Sequence, residues 1–381
     1  MPKKRFNLSK IVLSGFKSIA SQNEPQQILF DNITLIIGAN ASGKSNLVSF
    51  FNMLNRMNTQ AIQEFIGKNG FADSLLYYGS KKTARIKAEL TFESEVDKDT
   101  YGFTLSHASG DKLIFTDEYL TWHHIDYNRP QKLTLGAGHS ESKLQEESRK
   151  KESRTAKIIY EILRDCQAFQ FHDTSLTAKM RNKVYIGNNR FLFSDGGNVA
   201  AFLYTLKNSD IFKKYYDRIV ARIKLIIPQF GDFVLEPEIL NPEYIVLNWR
   251  EKFEQEYLFG PHQLSDGSMR FIALATLLLQ PPQTIPKIII IDEPELGLHP
   301  SAIGVLAEMI KTASKTSQII LATQSSRLID EFSPEQIIVV ERDEIENKSV
   351  FKKLNAEELE SWLNQYSLSE LWEKNVFGGQ P

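Results

Sequence analysis

A chain of 381 residues, 42% apolar and 24% charged, can bury the core of one large domain or of about two or three ordinary ones, which excludes disorder throughout. Its 45 Lys plus Arg against 47 Asp plus Glu give a formal net charge of -2, so a polycation gripping nucleic acid through its overall field is excluded as well. The single cysteine, Cys166, rules out an internal disulfide and a Cys-rich metal site, and it fits a reducing, cytoplasmic setting.

In chain order, the basic start MPKKRFNLSK lacks the uninterrupted apolar stretch of a signal peptide and reads as the entrance to a strand. Residues Ile11 to Phe16, Ile28 to Phe30 and Ile33 to Ile37 read as short strands, being rich in β-branched and aromatic side chains between turn formers. Arg85 to Phe92, Tyr101 to Leu105, Lys112 to Phe115 and Tyr119 to His123 continue as an antiparallel run, separated by turns such as Ala108-Ser109-Gly110-Asp111. Between Glu141 and Lys157, 10 of 17 residues are charged and almost none is apolar, which predicts an exposed helix or a mobile linker. Helical periodicity follows over Ala156 to Ala168, Asn198 to Leu206 and Asp210 to Ile227, the last stopped by Pro228. Two strand candidates near Phe233 and Ile245 lead into alternating helices and strands from Asp266 to Glu341, where the all-apolar Ile288 to Ile291 signals a buried parallel sheet. The longest apolar run, Phe271 to Leu279, is about half the length that crosses a bilayer, so no membrane contact is expected.

Gly38-Ala39-Asn40-Ala41-Ser42-Gly43-Lys44-Ser45 fits G-x-x-x-x-G-K-[ST] between an apolar strand and a helix-like run that begins Asn46-Leu47-Val48. Two glycines let the backbone turn tightly enough for successive N–H groups to face β- and γ-phosphate oxygens at a helix N-terminus. Lys44 supplies a mobile positive charge, and Ser45 a hydroxyl for the Mg2+ that bridges the same phosphates of ATP. At the end of the Ile288–Ile291 strand stand two carboxylates that point in different directions. Asp292 is placed to hold Mg2+ or its water shell, and Glu293 to orient and deprotonate the water that attacks the γ-phosphate. Leu264-Ser265-Asp266-Gly267-Ser268 precedes a helix, with Ser265 suited to cap it and Gly267 allowing close approach of an anion.

Together these segments resemble ABC-type ATPases of the RecF/SMC-like and OLD-like group, over roughly residues 8 to 95 and 240 to 345. On that resemblance Leu264 to Ser268 is the signature segment, Asp292-Glu293 the Walker B pair, and Glu295-Leu296-Gly297-Leu298-His299-Pro300 the D-loop region. It implies an α/β P-loop NTPase head, with mixed antiparallel and parallel sheets, split by a mostly helical insertion. The expected parts are 1–124 and 231–381 for the head and 125–230 for the insertion. It also implies a head-to-tail homodimer, or a higher homo-oligomer built on it, in which the signature segment of one copy meets the γ-phosphate held by the other, with Mg2+-dependent ATP hydrolysis opening and closing the pair. Relatives of this kind are typically bacterial and act in DNA repair or anti-phage defence beside a separate nuclease or TOPRIM-like effector. Gln324 occupies the place of the group's switch histidine; it can donate a hydrogen bond to the γ-phosphate but cannot carry charge, which predicts slow hydrolysis. The rival expectation is a nucleotide-gated scaffold or inhibitor of an effector protein with negligible turnover. The motor subunit of a membrane transporter is a weaker third.

His172-Asp173 and His123-His124 have no further His or Cys at ligand spacing, so no zinc is expected, and the segments around Phe171 to Ser175 and Ser194 to Asn198 read as turns and caps. Lys81, Lys82, Arg85 and Lys87, and Lys213, Lys214, Arg218, Arg222 and Lys224, are the local basic clusters that make nucleic acid a candidate partner. The C-terminal Leu368 to Pro381 is expected to dock on its own domain.

Overall fold

The computed structural model describes residues 6–20, 24–124, 129–254, 256–343 and 345–380. The basic first five residues and the expected insertion boundary at 125 lie outside the described residues. The chain forms two compact units, Met1–Gln167 with Phe332–Pro381, and Ala168–Glu331.

The first unit contains a six-stranded sheet ordered Gln26–Leu29, Asn7–Ser14, Arg85–Glu93, Asp97–Ala108, Lys112–His124, Gln131–Gly136, with every pairing antiparallel. Alternation drives it: Ile86, Ala88 and Leu90 are fully buried, while Arg85 before them and Lys87 among them are exposed. A second group of strands places Ile33–Ile37 parallel to Ile337–Arg342, which in turn pairs antiparallel with Ser349–Lys353. All five residues of Ile33–Ile37 are buried, as expected of a strand without alternation. The helix Lys44–Asn58 buries Leu47, Phe50, Phe51, Leu54 and Met57 on one stripe. Its rings meet edge-on residues just past the ends of two strands, Phe50 against Phe16 at 5.6 Å and Phe51 against Phe30 at 6.0 Å.

The charged stretch after Glu141 is neither a linker nor a solvated helix. It carries the short helix Leu144–Ser148 and the start of Arg154–Arg164, with Ser142, Leu144 and Glu147 buried. The cause is a set of directed hydrogen bonds that composition does not reveal. The Glu141 carboxylate accepts from the N–H groups of Ile62 (3.1 Å) and Gln63 (3.2 Å) at the start of the helix Ile62–Lys68. Glu118, wholly buried, accepts from Tyr101 Oη and Ser142 Oγ at 2.6 Å each and from the Lys143 N–H at 3.0 Å, with His139 Nε2 at 2.8 Å. These bonds draw the segment onto the sheet. The helix ends at Arg164, and Cys166–Phe169 is a short strand where helical periodicity was expected to continue to Ala168.

The second unit holds Ile288–Asp292 parallel to Gln318–Thr323, joined through the helix Pro300–Ala313. The helices Val199–Lys207, Lys213–Ile226 and Asp266–Leu279 accompany them, together with two small antiparallel arrays, Phe230–Val234 with Asn248–Glu251 and Asn241–Ile245 between Pro237–Glu238 and Val184–Tyr185. The expected 125–230 insertion is thus divided: its residues up to 167 belong to the first unit and the remainder to the second. Strand pairing explains the split, because Gln131–Gly136 extends the antiparallel sheet of the first unit and Val184–Tyr185 pairs with Asn241–Ile245 of the second.

Candidate functional site

In the first unit the loop after Ile33–Ile37 is shaped by three left-handed or near-extended positive-φ residues, Gly38 (φ 157°), Ala41 (φ 63°) and Gly43 (φ 122°). A Cβ on Gly38 would collide with the carbonyl oxygen of Val340, and one on Gly43 with the Ser349 side chain, so both positions need glycine for contact as well as conformation. Lys44 is buried and its Nζ donates to the carbonyls of Gly38 (2.5 Å) and Ala39 (2.9 Å), folding the ammonium across the loop that it closes. Ser349 Oγ stands 2.5 Å from the Ser42 carbonyl and 2.7 Å from Ser18 Oγ, and Asn46 Nδ2 donates to Ser18 Oγ at 2.6 Å, bracing the loop from behind. Asn40, Ala41 and Ser45 remain exposed at the mouth.

The helix that begins at Lys44 has no side-chain cap and no acidic residue in its first turn, so its positive end is not neutralised locally. Ser42 Oγ is buried without a hydrogen-bond partner among the described residues. A cradle that a Cβ would fill, an unpartnered buried hydroxyl and an uncompensated helix start suit a polyphosphate. The expected donors for its metal, Ser45 and Asp292, are both oxygen ligands, as Mg2+ prefers.

In the second unit, Ile288–Asp292 delivers Asp292 to the strand end, where its carboxylate Oδ2 accepts from Gln170 Nε2 (3.3 Å) and its carbonyl lies 3.0 Å from His172 Nε2. Glu293 turns out of the strand with φ 46°, held by its N–H bond to the Ala322 carbonyl at 2.7 Å. Its Oε1 accepts from Gln324 Nε2 at 2.7 Å. Gln324 therefore engages the carboxylate expected to act as base, and the helix that follows is capped by Ser325 instead, whose Oγ accepts from the Leu328 N–H. Glu295 accepts at Oε1 from Thr323 Oγ1 (2.6 Å) and the Gln324 N–H (3.2 Å), which fixes the backbone that carries the amide. Burial raises its carboxyl above the usual glutamate range, opposed by those hydrogen bonds.

The segment Leu264 to Ser268, expected to be the signature, lies in the same unit. Ser265 Oγ accepts from the Ser268 N–H at 3.1 Å and caps the helix Asp266–Leu279; Ser265 and Asp266 are exposed, and Leu264 is buried. Gly267 packs so closely on the Gly297 carbonyl that a Cβ there would overlap it. Two arginines secure this region, Arg270 just past that segment and Arg181, which no motif pointed to. Arg270 donates to the carbonyls of Phe171 (3.0 Å), His172 (2.9 Å) and Leu296 (3.0 Å). Arg181 donates to those of Thr174, Pro261 and Leu264 and to the Asp266 carboxylate. Gln170 was missed, and His172 was weighed only together with Asp173; their signal was the Cys166–Phe169 stretch that leads into them, which reads as a helix tail until its strand geometry is known. Asp173 forms a local turn with Ser175, as the polar run around it suggested.

Residues 33–330, more than three quarters of the chain, match the family described as "AAA domain, putative AbiEii toxin, Type IV TA system". A Methanosarcina acetivorans protein named "Putative ABC transporter ATP-binding protein" is 26% identical over 183 residues, 44% of this chain and 64% of that protein. The energy-coupling factor transporter ATP-binding protein EcfA2 of Ligilactobacillus salivarius is 31% identical over 112 residues, 29% of this chain and 36% of that one. The matches thus span less than two thirds of either relative's length. Among solved structures, an SMC head bound to the C-terminal winged-helix domain of ScpA superposes with TM-score 0.56 at 17% identity, over 92% of this chain and 99% of that one. The Pyrococcus furiosus SMC head bound to the C-terminal domain of ScpA gives 0.53 at 16%, over 95% and 99%. Both share the fold. Among the described residues no helix is long and apolar enough to cross a membrane. With the loop, the strand-end carboxylates and the Ser265-capped helix described, the family match makes this chain a member of that AAA-domain family, a P-loop NTPase that shares its fold with SMC heads.

Proposed function

We propose that the chain hydrolyses Mg2+-bound ATP to close and open a head-to-tail homodimer, and that this cycle gates a separate effector subunit, nuclease or TOPRIM-like, in DNA repair or anti-phage defence. The observation that carries the reading is the Gly38–Ser45 loop, with its two obligatory glycines, its folded-back Lys44 and an unneutralised helix start. In this reading residues 38 to 46 wrap the phosphates. Ser45 and Asp292 would hold Mg2+, which would supply Lewis-acid neutralisation of phosphate charge. Glu293 takes the proton of the attacking water, and Gln324 keeps the Glu293 carboxylate aimed. Leu264 to Ser268 of the second copy closes on the γ-phosphate with Ser265 Oγ and the N–H groups of a helix start. The triphosphate then acts as a removable link between two surfaces. The family description, which names a toxin–antitoxin system, and an SMC head bound to ScpA both support an effector protein working through a head of this kind.

A second reading, a nucleotide-gated scaffold or inhibitor of an effector with negligible turnover, draws on one contact. Gln324 occupies one oxygen, Oε1, of the Glu293 carboxylate expected to take the proton, and it cannot itself exchange one. Glu293→Gln separates the two. An enzyme loses hydrolysis by roughly 100-fold or more and accumulates an ATP-bound dimer visible by light scattering. A scaffold shows neither change. Retention of normal ATP affinity in Lys44→Ala contradicts both readings.

A further inference from the structure

We propose that Arg181 is a positioning residue that presets the signature segment for capture of the triphosphate carried by a second copy. The inference rests on the composite-site reading above. Arg181 is 4% exposed and lies on the short turn Lys179–Arg181, in a part of the chain without a nucleotide-binding motif. Its Nε donates to the Thr174 carbonyl at 2.9 Å, Nη1 to the carbonyls of Pro261 (2.5 Å) and Leu264 (3.0 Å), and Nη2 to Asp266 Oδ1 at 2.9 Å.

The pattern has two consequences. Leu264 and Asp266 flank Ser265, so one rigid fork holds the backbone carbonyl on one side and the side-chain carboxylate on the other side of the residue that must present its hydroxyl, while Ser265 itself stays exposed. Asp266 also stands at the first position of the helix, where an uncompensated carboxylate repels an arriving phosphate. With its side chain 64% exposed, Asp266 is drawn by the buried guanidinium, which offsets its charge. A buried guanidinium needs these partners, because it stays charged and is costly to bury unless paired. Arg181 touches no expected nucleotide-binding atom, so its effect belongs to closure of the pair and not to loading of a single copy.

The test places Arg181→Lys in the full chain carrying Glu293→Gln, the variant expected to accumulate the ATP-bound dimer. Lysine keeps the charge but cannot span three carbonyls and a carboxylate. The ATP concentration for half-maximal dimer, read by sedimentation, is expected to rise roughly tenfold, the loss of one or two charge-assisted hydrogen bonds. The affinity of fluorescent ATP for single copies, read at protein concentrations too low for pairing, is expected to stay unchanged. Adding Asp266→Asn is expected to recover part of the shift, a result that loss of general stability does not produce. An unchanged dimerisation midpoint overturns the proposal, as does an equal loss in single-copy affinity. If Glu293→Gln alone forms no ATP-dependent dimer, the composite-site reading fails and this inference fails with it.

Discussion

Glu293 occupies left-handed backbone at φ 46°, a conformation that costs a β-carbon-bearing residue on the order of 1 kcal/mol and persists only where surroundings hold it. The restraint comes from the Ala322 carbonyl on its N–H and the Gln324 amide on its carboxylate. In the first unit, Asp99 presents a different residue-scale problem. It is 4% exposed, and burial, aided by the neighbouring Asp97 carboxylate and opposed by Arg154, pushes its carboxyl up from 3.8 to about 6. A raised carboxyl means that the folded state binds the proton more tightly than the unfolded chain. The stability contributed is therefore fully present below about pH 3.8 and lost as pH rises through about 6. Asp99→Asn is expected to leave stability near pH 4 unchanged and to raise it at pH 7.5 by on the order of 2 kcal/mol, after discounting for the polar groups around it. Thermal unfolding of both proteins across that range checks the sign; parallel pH profiles contradict it.

At the scale of elements, the signature helix and the turn after the Ile288–Asp292 strand are built as one piece. Gly267 rests on the Gly297 carbonyl, Gly297 has φ 71°, and a Cβ on Gly297 would overlap the Arg270 guanidinium that bonds Leu296. Alanine in a helix normally gains about 0.5–1 kcal/mol over glycine. Here Gly267→Ala is expected to lose about 1–3 kcal/mol, because its methyl group displaces backbone and not a flexible side-chain end. A shift of the urea midpoint to lower concentration measures it, and a neutral or stabilising outcome shows that the close approach is absent in solution. Such contacts explain what the sequence could and could not convey. The strand Ile33–Ile37, the helix after it and the strand before Asp292 are legible because local pattern and burial agree in them. The Glu141–Lys157 segment is not, since its order comes from Glu118 and from N–H groups at Ile62 and Gln63, far away in the chain. Arg181 and Gln170 were illegible for the same reason: apart from the Thr174 carbonyl, their side-chain partners are two carbonyls and two carboxylates that lie about 80 to 120 positions on.

At the scale of the molecule, charge argues for a protein-sized switch more than for a nucleic-acid clamp. The basic helix Lys213–Ile226 spends part of its charge internally, Lys213 on Asp217 at 3.9 Å and Arg222 on Glu308 at 3.0 Å, within a chain of net charge -2. The proposed mechanism instead places its chemistry between two copies, and that arrangement has a consequence which a site confined to one chain does not share. Lys44→Ala disables the phosphate loop and leaves the signature segment intact. Ser265→Arg blocks the signature segment, by placing a long cation over the helix start, and leaves the loop intact. Each variant alone forms only dimers in which both composite sites contain one damaged half. Mixed in equal amounts, about half of the dimers contain one copy of each, and every such pair has one site with two sound halves and one with two damaged ones. Two inactive preparations are therefore expected to regain up to about a quarter of wild-type hydrolysis when combined, with the recovery rising as total protein exceeds the dimer dissociation constant. A steady-state phosphate-release assay over a range of mixing ratios reads this directly, peaking at equal amounts. If the mixture stays as inactive as its components at every ratio and concentration, catalysis does not use a signature segment from the neighbouring copy, and the head-to-tail mechanism is wrong even though the phosphate loop stands.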